Sequence, residues 1–149
     1  MLTVNFSTDA VELIKEFEGF RSEAYPDPGT GGDPWTIAYG HTAGVQPGDT
    51  CTKEQGELWL LDDMEWADTA VMDYVRVDLE QCCFDALVSF TFNVGAGALS
   101  ESTLVRRLNA GEPPVTVIEQ ELPRWVNGAN GPLPGLVRRR EAEVALAPV

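Results

Sequence analysis

The stretch from Tyr25 to Gly48 constrains the fold of this 149-residue chain more than any other segment. Prolines recur throughout it, and three glycines fall between Pro28 and Pro34, so a helix is excluded there. The segment 35–39 is rich in β-branched and aromatic residues and predicts a small hairpin sheet. Helical patterns lie on both sides. The chain is therefore expected to be an α+β protein, mainly helical with one small sheet.

The helical patterns have recognisable ends. Thr8 is the predicted N-cap of the first helix, and Gly19 ends it. A capping box at 52–55 starts a long helix that reaches about Tyr74, in which Leu58, Leu61, Met64 (or Glu65) and Asp68 do not give one clean apolar stripe. The later helices are expected at Leu79 to Val94, Ser100 or Ser102 to Leu108, Pro113 to about Leu122 and, after a loop at 127–135, Leu136 to Leu146. In the first of these, Phe84, Leu87, Val88 and Thr91 are expected on one face, and Gly95 and Gly97 close the helix.

This order of elements predicts a single domain of residues 1–149. It has a small β-hairpin lobe at about 20–50 and a long connecting helix at about 52–75. A larger C-terminal helical lobe, which also holds the N-terminal helix, follows at about 79–147. A cleft between two such lobes is a natural place for a polymer substrate.

Composition excludes several classes of protein. A formal net charge of −14 argues against an electrostatic nucleic-acid binder and implies a repulsive field toward anionic polymers. The segments 106–107 and 138–140 hold five of the ten cations. These residues are expected to form either a solvated helix face or a basic patch. Three cysteines and one histidine fit neither a disulfide framework nor a metal site, so no metal and no cofactor are expected. The N-terminus has no secretory signal, and no apolar run is long enough for membrane insertion.

Two carboxylates fall in unlike surroundings. Glu18 closes the first helix, where the helix dipole disfavours its charged form by roughly 0.3–1 kcal/mol. Asp27 lies in a turn between two prolines, and Thr36 at the start of a strand could hold a water molecule. Glycosidic hydrolysis needs one carboxyl group that keeps its proton and one that stays ionised. The simpler interpretations are a surface glutamate, a turn aspartate and a structural threonine.

Other polar residues allow further interpretations. Tyr39 and Asn93 have polar ends that could line a sugar cleft, and Asn93 fits a helix C-cap equally well. His41, the single histidine, is expected to be structural and paired with a carboxylate. A thiol hydrolase that pairs His41 with one of the cysteines stays open as an alternative, although buried cysteines are usually inert. The candidate thiols are Cys51, Cys82 and Cys83.

Together these motifs resemble the bacteriophage-type lysozymes, the endolysins of glycoside hydrolase family 24. The resemblance runs in order from about residue 10 to residue 146 and covers nearly the whole chain. Single motifs would be weak, but the set is highly specific. The motifs that carry it are Glu18-Gly-Phe-Arg, Ala24-Tyr-Pro-Asp, Trp35-Thr-Ile-Ala-Tyr-Gly-His-Thr, Phe84-Asp-Ala-Leu-Val-Ser-Phe, Phe92-Asn-Val-Gly, Ser102-Thr-Leu, Leu108-Asn-Ala-Gly, Arg124-Trp and Gly135-Leu-Val-Arg-Arg-Arg.

The resemblance implies a muramidase that cleaves the β-1,4 bond between N-acetylmuramic acid and N-acetylglucosamine in peptidoglycan, with inversion, and so causes bacterial lysis. Glu18 then matches the catalytic acid, Asp27 the second carboxylate and Thr36 the residue that helps to position water. Inversion implies a carboxyl separation of about 6.5–9.5 Å. The resemblance also gives His41 a helix aspartate as partner. The structural residues are then His41, Asp63 and Arg139, the last supporting the Glu18 helix.

One residue departs from the family pattern: Ala38 stands where the family usually has glycine, which predicts crowding in the hairpin. The other hypotheses are a module that binds peptidoglycan without cutting it, and a chitinase-like transglycosidase that shares the carboxylates. The expected protein is a monomer whose partner is peptidoglycan and not nucleic acid. It is expected in the host cytoplasm until a separate membrane lesion gives it access to the wall.

Overall fold

The structure, a computed structural model, describes residues 4–148. Met1–Thr3 and Val149, which the single-domain prediction includes, lie outside this range. The described residues are mainly helical with two small antiparallel sheets, which confirms the predicted α+β class. The elements are α1 (Thr8–Glu18), β1 (Arg21–Tyr25), β2 (Thr36–Ala38), α2 (Lys53–Tyr74), α3 (Gln81–Val94), α4 (Ala96–Glu101), α5 (Thr103–Asn109), α6 (Pro114–Glu121), β3 (Asn127–Gly128), β4 (Gly131–Pro132) and α7 (Pro134–Leu146).

The chain divides into two compact units. The hairpin unit comprises Ile14–Met64, and the helical unit comprises Met1–Leu13 together with Glu65–Val149. Both boundaries fall inside helices, since α1 and α2 each begin in one unit and end in the other. The predicted lobes ended at loops, and their grouping into one domain stays a prediction. No helix within residues 4–148 has the length and apolar content needed to cross a membrane.

In the hairpin unit, glycine ends α1 and a sheet follows at once. Gly19 has a φ of +72°, and its N–H donates to the carbonyl of Lys15 at 3.0 Å, so it stops the helix as predicted. Strands β1 and β2 pair antiparallel, with Arg21 opposite Ala38 and Tyr25 opposite Thr36. Four steps along β1 therefore face two along β2, an irregularity of the bulge type that bends the strand. Strand β2 lies in the segment 35–39 predicted for the hairpin sheet, whereas the residues of β1 were not predicted.

Helix α2 buries one side, but Leu58, Leu61, Met64 and Asp68 do not form a single apolar stripe, as predicted. Leu58 and Leu61 are 60% and 39% exposed, whereas Met64 and Asp68 are buried. The buried apolar positions recur at helical spacing. They are Leu60, Met64, Ala67 and Val71. At the helix start, Thr52 accepts a hydrogen bond from the N–H of Gln55 at 3.2 Å, as the capping box predicts.

Helix α3 is buried on every side over residues 83–91, which includes the predicted face of Phe84, Leu87, Val88 and Thr91. Every residue from Cys83 to Thr91 is buried, which is typical of a central helix. Gly95 closes it, but Gly97 lies inside α4, a helix that the sequence analysis missed. Ser102 caps α5 by accepting from the N–H of Val105 at 3.1 Å. The predicted loop at 127–135 contains the β3–β4 hairpin and the start of α7.

Two buried aspartates hold the segment that leads into α1. Asp68 accepts the N–H groups of Asn5 and Phe6 at 2.7 and 2.9 Å. Asp85 accepts the N–H of Ser7 at 2.8 Å and also its hydroxyl. Ser7, and not Thr8, precedes α1 as its cap, since its hydroxyl accepts from the N–H of Asp9 at 3.3 Å. The helical unit therefore gives these two buried carboxylates backbone N–H donors from the segment before α1.

A buried ionic cluster lies between α3 and α7 in the helical unit. Arg139 and Arg140 are 3% and 1% exposed, so neither the solvated face nor the basic patch expected at 138–140 describes them. Both guanidinium groups contact the fully buried Glu143, at 3.3 and 2.7 Å. Ser89 donates to the same carboxylate at 2.6 Å. Burial raises the pKa of Glu143 and lowers that of Arg140, while each opposes the shift of the other.

Candidate active site

Glu18 is the last residue of α1, where the unpaired carbonyls of the final turn are negative. Its side chain is half-buried. Its carboxylate lies against the backbone of Gly40, because a Cβ placed on Gly40 would be 2.8 Å from Oε1 of Glu18. The carboxylate therefore occupies the space that a side chain would fill at that position.

Asp27 lies two residues beyond β1, in a turn that its own side chain organises. Its Oδ2 accepts the N–H groups of Gly29 and Thr30 at 3.0 and 3.1 Å, an Asx-type arrangement. Its backbone N–H donates to the carbonyl of Gly32 at 2.9 Å, and its carbonyl accepts from Gly31 at 2.8 Å. Oδ1 accepts no hydrogen bond from residues 4–148. The turn therefore fixes Oδ2 by hydrogen bonds, and these bonds also determine the position of Oδ1.

Thr36 is brought to the same end of the hairpin by strand register. It begins β2 and pairs with Tyr25, which stands two residues before Asp27. Its hydroxyl donates to the carbonyl of Pro34 at 3.3 Å, and the residue is half-buried. The structure therefore sets Thr36 beside the start of the Asp27 turn.

At the other end of the hairpin, the chain reverses through a tight turn. Ile37 and His41 exchange backbone hydrogen bonds in both directions, each 2.9 Å long. Between them, Ala38 and Gly40 have φ values of +57° and +77°. Positive φ is ordinary for glycine and strained for alanine. The departure from the family pattern at Ala38 therefore falls on a strained position. A Cβ on Gly56 would also lie 2.9 Å from the Cβ of Ala38.

His41 is held from two sides. Its Nδ1 lies 2.8 Å from Oδ2 of Asp63, the partner expected from the family resemblance. Its ring stacks on Trp59 with a centroid distance of 4.7 Å and an interplanar angle of 7°. His41 is buried, so these contacts fix the end of the turn that contains Gly40. The supporting role of this pair stays a prediction.

Tyr39 is only 4% exposed and is packed inside the hairpin unit. Its ring centroid lies 5.3 Å from that of Phe20, and the ammonium group of Lys15 lies 5.5 Å from it. These contacts show that the Tyr39 ring packs against its neighbours in the hairpin unit. Its sugar-binding role, predicted from its hydroxyl group, stays a prediction.

The remaining predicted site residues belong to the helical unit. Asn93 is exposed near the end of α3, and its Oδ1 accepts from Nη2 of Arg140 at 2.8 Å. Arg139 contacts Glu143 and donates to the carbonyl of Ser89 at 3.1 Å. Contact of Asn93 with substrate and support of the Glu18 helix by Arg139 stay predictions.

The thiols lack the features of an activated nucleophile. Burial raises the pKa of Cys83, and the neighbouring Cys82 and Glu80 add to that effect. Burial also raises the pKa of Cys51. A catalytic thiolate needs a lowered pKa and a basic partner, and His41 instead faces Asp63 and Trp59. Within residues 4–148, no group of three or more histidine, cysteine or acidic side chains could hold a metal ion.

Two features of this site were missed from the sequence. The close approach of Gly40 to Glu18 is a tertiary contact, and the only local signal was a glycine between an aromatic residue and the single histidine. The stacking of Trp59 on His41 depends on how α2 faces the turn. Helical spacing could have found it, because Trp59 precedes Asp63 by four residues and shares its face.

Comparisons with known proteins identify the family of this chain. The profile of the phage lysozyme family matches residues 15–143. An endolysin of Acyrthosiphon pisum secondary endosymbiont phage 1 is 37% identical over 147 residues, which cover 96% of this chain and 97% of the relative. An endolysin of Bacillus phage B103 is 40% identical over 144 residues, which cover 96% of this chain and 54% of that protein.

Among solved structures, the muramidase domain of SpmX from Asticcacaulis excentricus matches with a TM-score of 0.86 and 38% sequence identity, and the match covers 97% of each chain. The predicted lysozyme-like fold and glycoside hydrolase activity are thereby confirmed at the level of the family. Since a family profile and a relative of similar length both match nearly the whole sequence, this chain belongs to the phage lysozyme family.

Proposed function

We propose that the hairpin unit carries the catalytic centre of a muramidase that cleaves the β-1,4 bond between N-acetylmuramic acid and N-acetylglucosamine in peptidoglycan with inversion. Glu18 is the general acid, Asp27 the second carboxylate and Thr36 a residue that helps to position water. The observation that carries the proposal is the contrast between the two carboxylates. Glu18 ends a helix among negative dipole ends, and Asp27 is held by backbone N–H donors.

Glu18 supplies the proton for the leaving group. The glycosidic oxygen accepts this proton as the bond to the anomeric carbon breaks, and the departing sugar leaves as an alcohol. General acid catalysis of this kind contributes about 10²–10⁴-fold to the rate.

Asp27 and Thr36 act on the opposite face of the sugar. Because the Asx turn occupies Oδ2 of Asp27, Oδ1 remains available to accept a proton from the attacking water. The hydroxyl of Thr36 offers that water a second partner. Attack from the face opposite the leaving group inverts the anomeric carbon, which requires the two carboxyl groups to be about 6.5–9.5 Å apart.

Proton NMR of the fresh product tests the stereochemistry. Inverting hydrolysis of a β bond first yields the α-anomer, whose anomeric proton differs in chemical shift and coupling from that of the β-anomer. We expect the α-anomer to appear first and to mutarotate later. Initial formation of the β-anomer would exclude this mechanism and favour a covalent intermediate or transglycosylation.

The role of Asp27 is tested against a carboxylate in the same loop. We expect Asp27→Asn to lose most of the activity in a turbidity assay on bacterial wall suspensions, because the amide is a poor base. Asp33→Asn is the control, since Asp33 lies in the same proline- and glycine-rich loop and uses only its backbone carbonyl to bind Thr30. Equal activity in both variants would remove Asp27 from the mechanism. Wall binding without any cleavage by the parent chain would favour the non-catalytic module.

The wider context is proposed from the same function. The protein acts as a monomer on the bacterial wall, which it reaches from the host cytoplasm through a separate membrane lesion. Because a chain of charge −14 approaches an anionic polymer, we expect wall lysis to accelerate as ionic strength rises from about 0.01 M to about 0.15 M, which shortens the Debye length from ~30 to ~8 Å. A lysis rate that falls steadily over this range would contradict repulsion between enzyme and wall. Sedimentation of the pure protein tests the monomer.

A further inference from the structure

The Glu18 carboxylate lies so close to the backbone of Gly40 that no side chain would fit at that position without a shift. A Cβ built on Gly40 would lie 2.8 Å from Oε1 and 3.6 Å from Cδ of Glu18. Real Cβ atoms essentially never approach another heavy atom within 3.0 Å. Any residue other than glycine at this position would therefore force a displacement of at least a few tenths of an ångström.

The backbone of the Gly40 turn is the firmer side of this contact. Backbone hydrogen bonds between Ile37 and His41 close the turn, and Asp63 and Trp59 hold the His41 ring. The other side of the contact is the end of a flexible glutamate side chain. When a Cβ is added, the carboxylate is the group that moves, so the cost falls on the geometry of Glu18 more than on the fold.

We propose that Gly40 is a positioning residue whose missing side chain sets the location of the catalytic carboxyl group. This inference rests on the proposed role of Glu18 as the acid. A misplacement of about 1 Å at a reacting group can cost on the order of 10²-fold in rate, although nothing at Gly40 touches the substrate. The turn thus determines where the proton is delivered.

Gly44 provides a matched control. Its φ of +70° is close to the +77° of Gly40, so alanine suffers similar backbone strain at both positions. A Cβ on Gly44 would meet no heavy atom of the described residues within 4 Å. The two alanine variants therefore share the strain and differ in the contact with Glu18.

The test compares Gly40→Ala and Gly44→Ala in thermal unfolding and in steady-state hydrolysis of a soluble peptidoglycan fragment over a range of pH. We expect similar melting temperatures. We expect kcat to fall at least about tenfold for Gly40→Ala alone, with KM nearly unchanged and the kcat–pH profile displaced. Equal kcat values and equal pH profiles in the two variants would overturn the positioning role.

Three further variants keep the test decisive. If alanine prevents folding, Gly40→Asn and Gly44→Asn replace it, because asparagine tolerates positive φ but still carries a Cβ. Glu18→Gln separates this inference from the proposed function. If Glu18→Gln retains full activity, the assignment of the acid fails, and the positioning inference fails with it. If Glu18→Gln is inactive and Gly40→Asn hydrolyses as fast as Gly44→Asn, only the positioning inference fails.

Discussion

The two units of this protein are stabilised by different physical means. The helical unit holds most of the buried apolar side chains, and its buried charges and polar groups are largely matched by partners such as those of Asp68, Asp85 and Glu143. The hairpin unit has few buried residues and depends on turns, a short irregular ladder and residues at positive φ. The proposed catalytic residues all lie in the hairpin unit. The geometry of the proposed site therefore depends on turns and close backbone contacts.

The largest effect on stability is expected in the helical unit, from Glu143→Gln. This change leaves the buried Arg140 without the carboxylate that it contacts, which typically costs about 3–5 kcal/mol in free energy of unfolding. Urea unfolding measures it, with the exposed Glu141→Gln on the same helix as control. If both variants unfold at the same urea concentration, the cluster does not stabilise the helical unit.

A smaller loss is expected from Asp68→Asn. Asp68 accepts two backbone N–H groups and the side-chain amide of Asn5, and hydrogen bonds to a charged group contribute about 1.5–3 kcal/mol. Amide hydrogen exchange at Asn5 and Phe6 should accelerate together with the loss of stability. Asp73→Asn, an exposed change on the same helix, is the control. Unchanged exchange rates at Asn5 and Phe6 would show that other contacts hold the segment before α1.

Replacement of alanine by glycine is expected to change stability in opposite directions in the two units. At φ +57°, Ala38→Gly relieves backbone strain and should stabilise the protein by about 0.5–1 kcal/mol. Ala70→Gly, inside α2, should destabilise it by about 1 kcal/mol because glycine is a poor helix former. Calorimetric melting of both variants measures the difference. Destabilisation by both would mean that packing of the Ala38 methyl group outweighs the strain.

The smallest effect is expected for the half-buried pair of Arg107 and Glu112. The hydrogen bond from Arg107 lowers the pKa of Glu112 below its usual 4.5. A lowered pKa in the folded state gives stability that is present above 4.5 and is lost as the pH falls through the folded value. Glu112→Gln should therefore lie slightly below the parent in stability at pH 7 and equal to it in strong acid, with a smaller gap in high salt. A gap that grows on acidification would contradict this assignment.

Sequence patterns predicted where the helices begin and end better than which of their side chains are buried. Gly19, Thr52 and Ser102 have local capping chemistry, so the helices that they bound were visible in advance. Burial is a property of the assembled unit, and for that reason the all-round burial of α3 and the buried Arg140 were not foreseen. Charged residues are usually solvated, and nothing local shows that Glu143 lies opposite Arg140.

The candidate site divides in the same way. Glu18, Asp27 and Thr36 could be named because each has a recognisable place at a helix end, a turn or a strand start. The Asx bonds of Asp27 follow from local sequence. The contact of Gly40 with Glu18 could not be predicted, because it depends on how the turn meets α1, and only the family's glycine at position 38 indicated the strain at Ala38. Alanine gives no local signal for left-handed backbone.

Hydrolysis of purified peptidoglycan by Glu18→Gln tests the central claim most directly, since the amide keeps the shape of the side chain and has no acidic proton to transfer. Glu16→Gln is the matched control, because Glu16 is exposed two residues earlier on the same helix. We predict that release of reducing sugar falls by about 10²–10⁴-fold in Glu18→Gln and is unchanged in Glu16→Gln, with both variants folded. A folded Glu18→Gln variant that hydrolyses peptidoglycan at the parent rate would contradict the account.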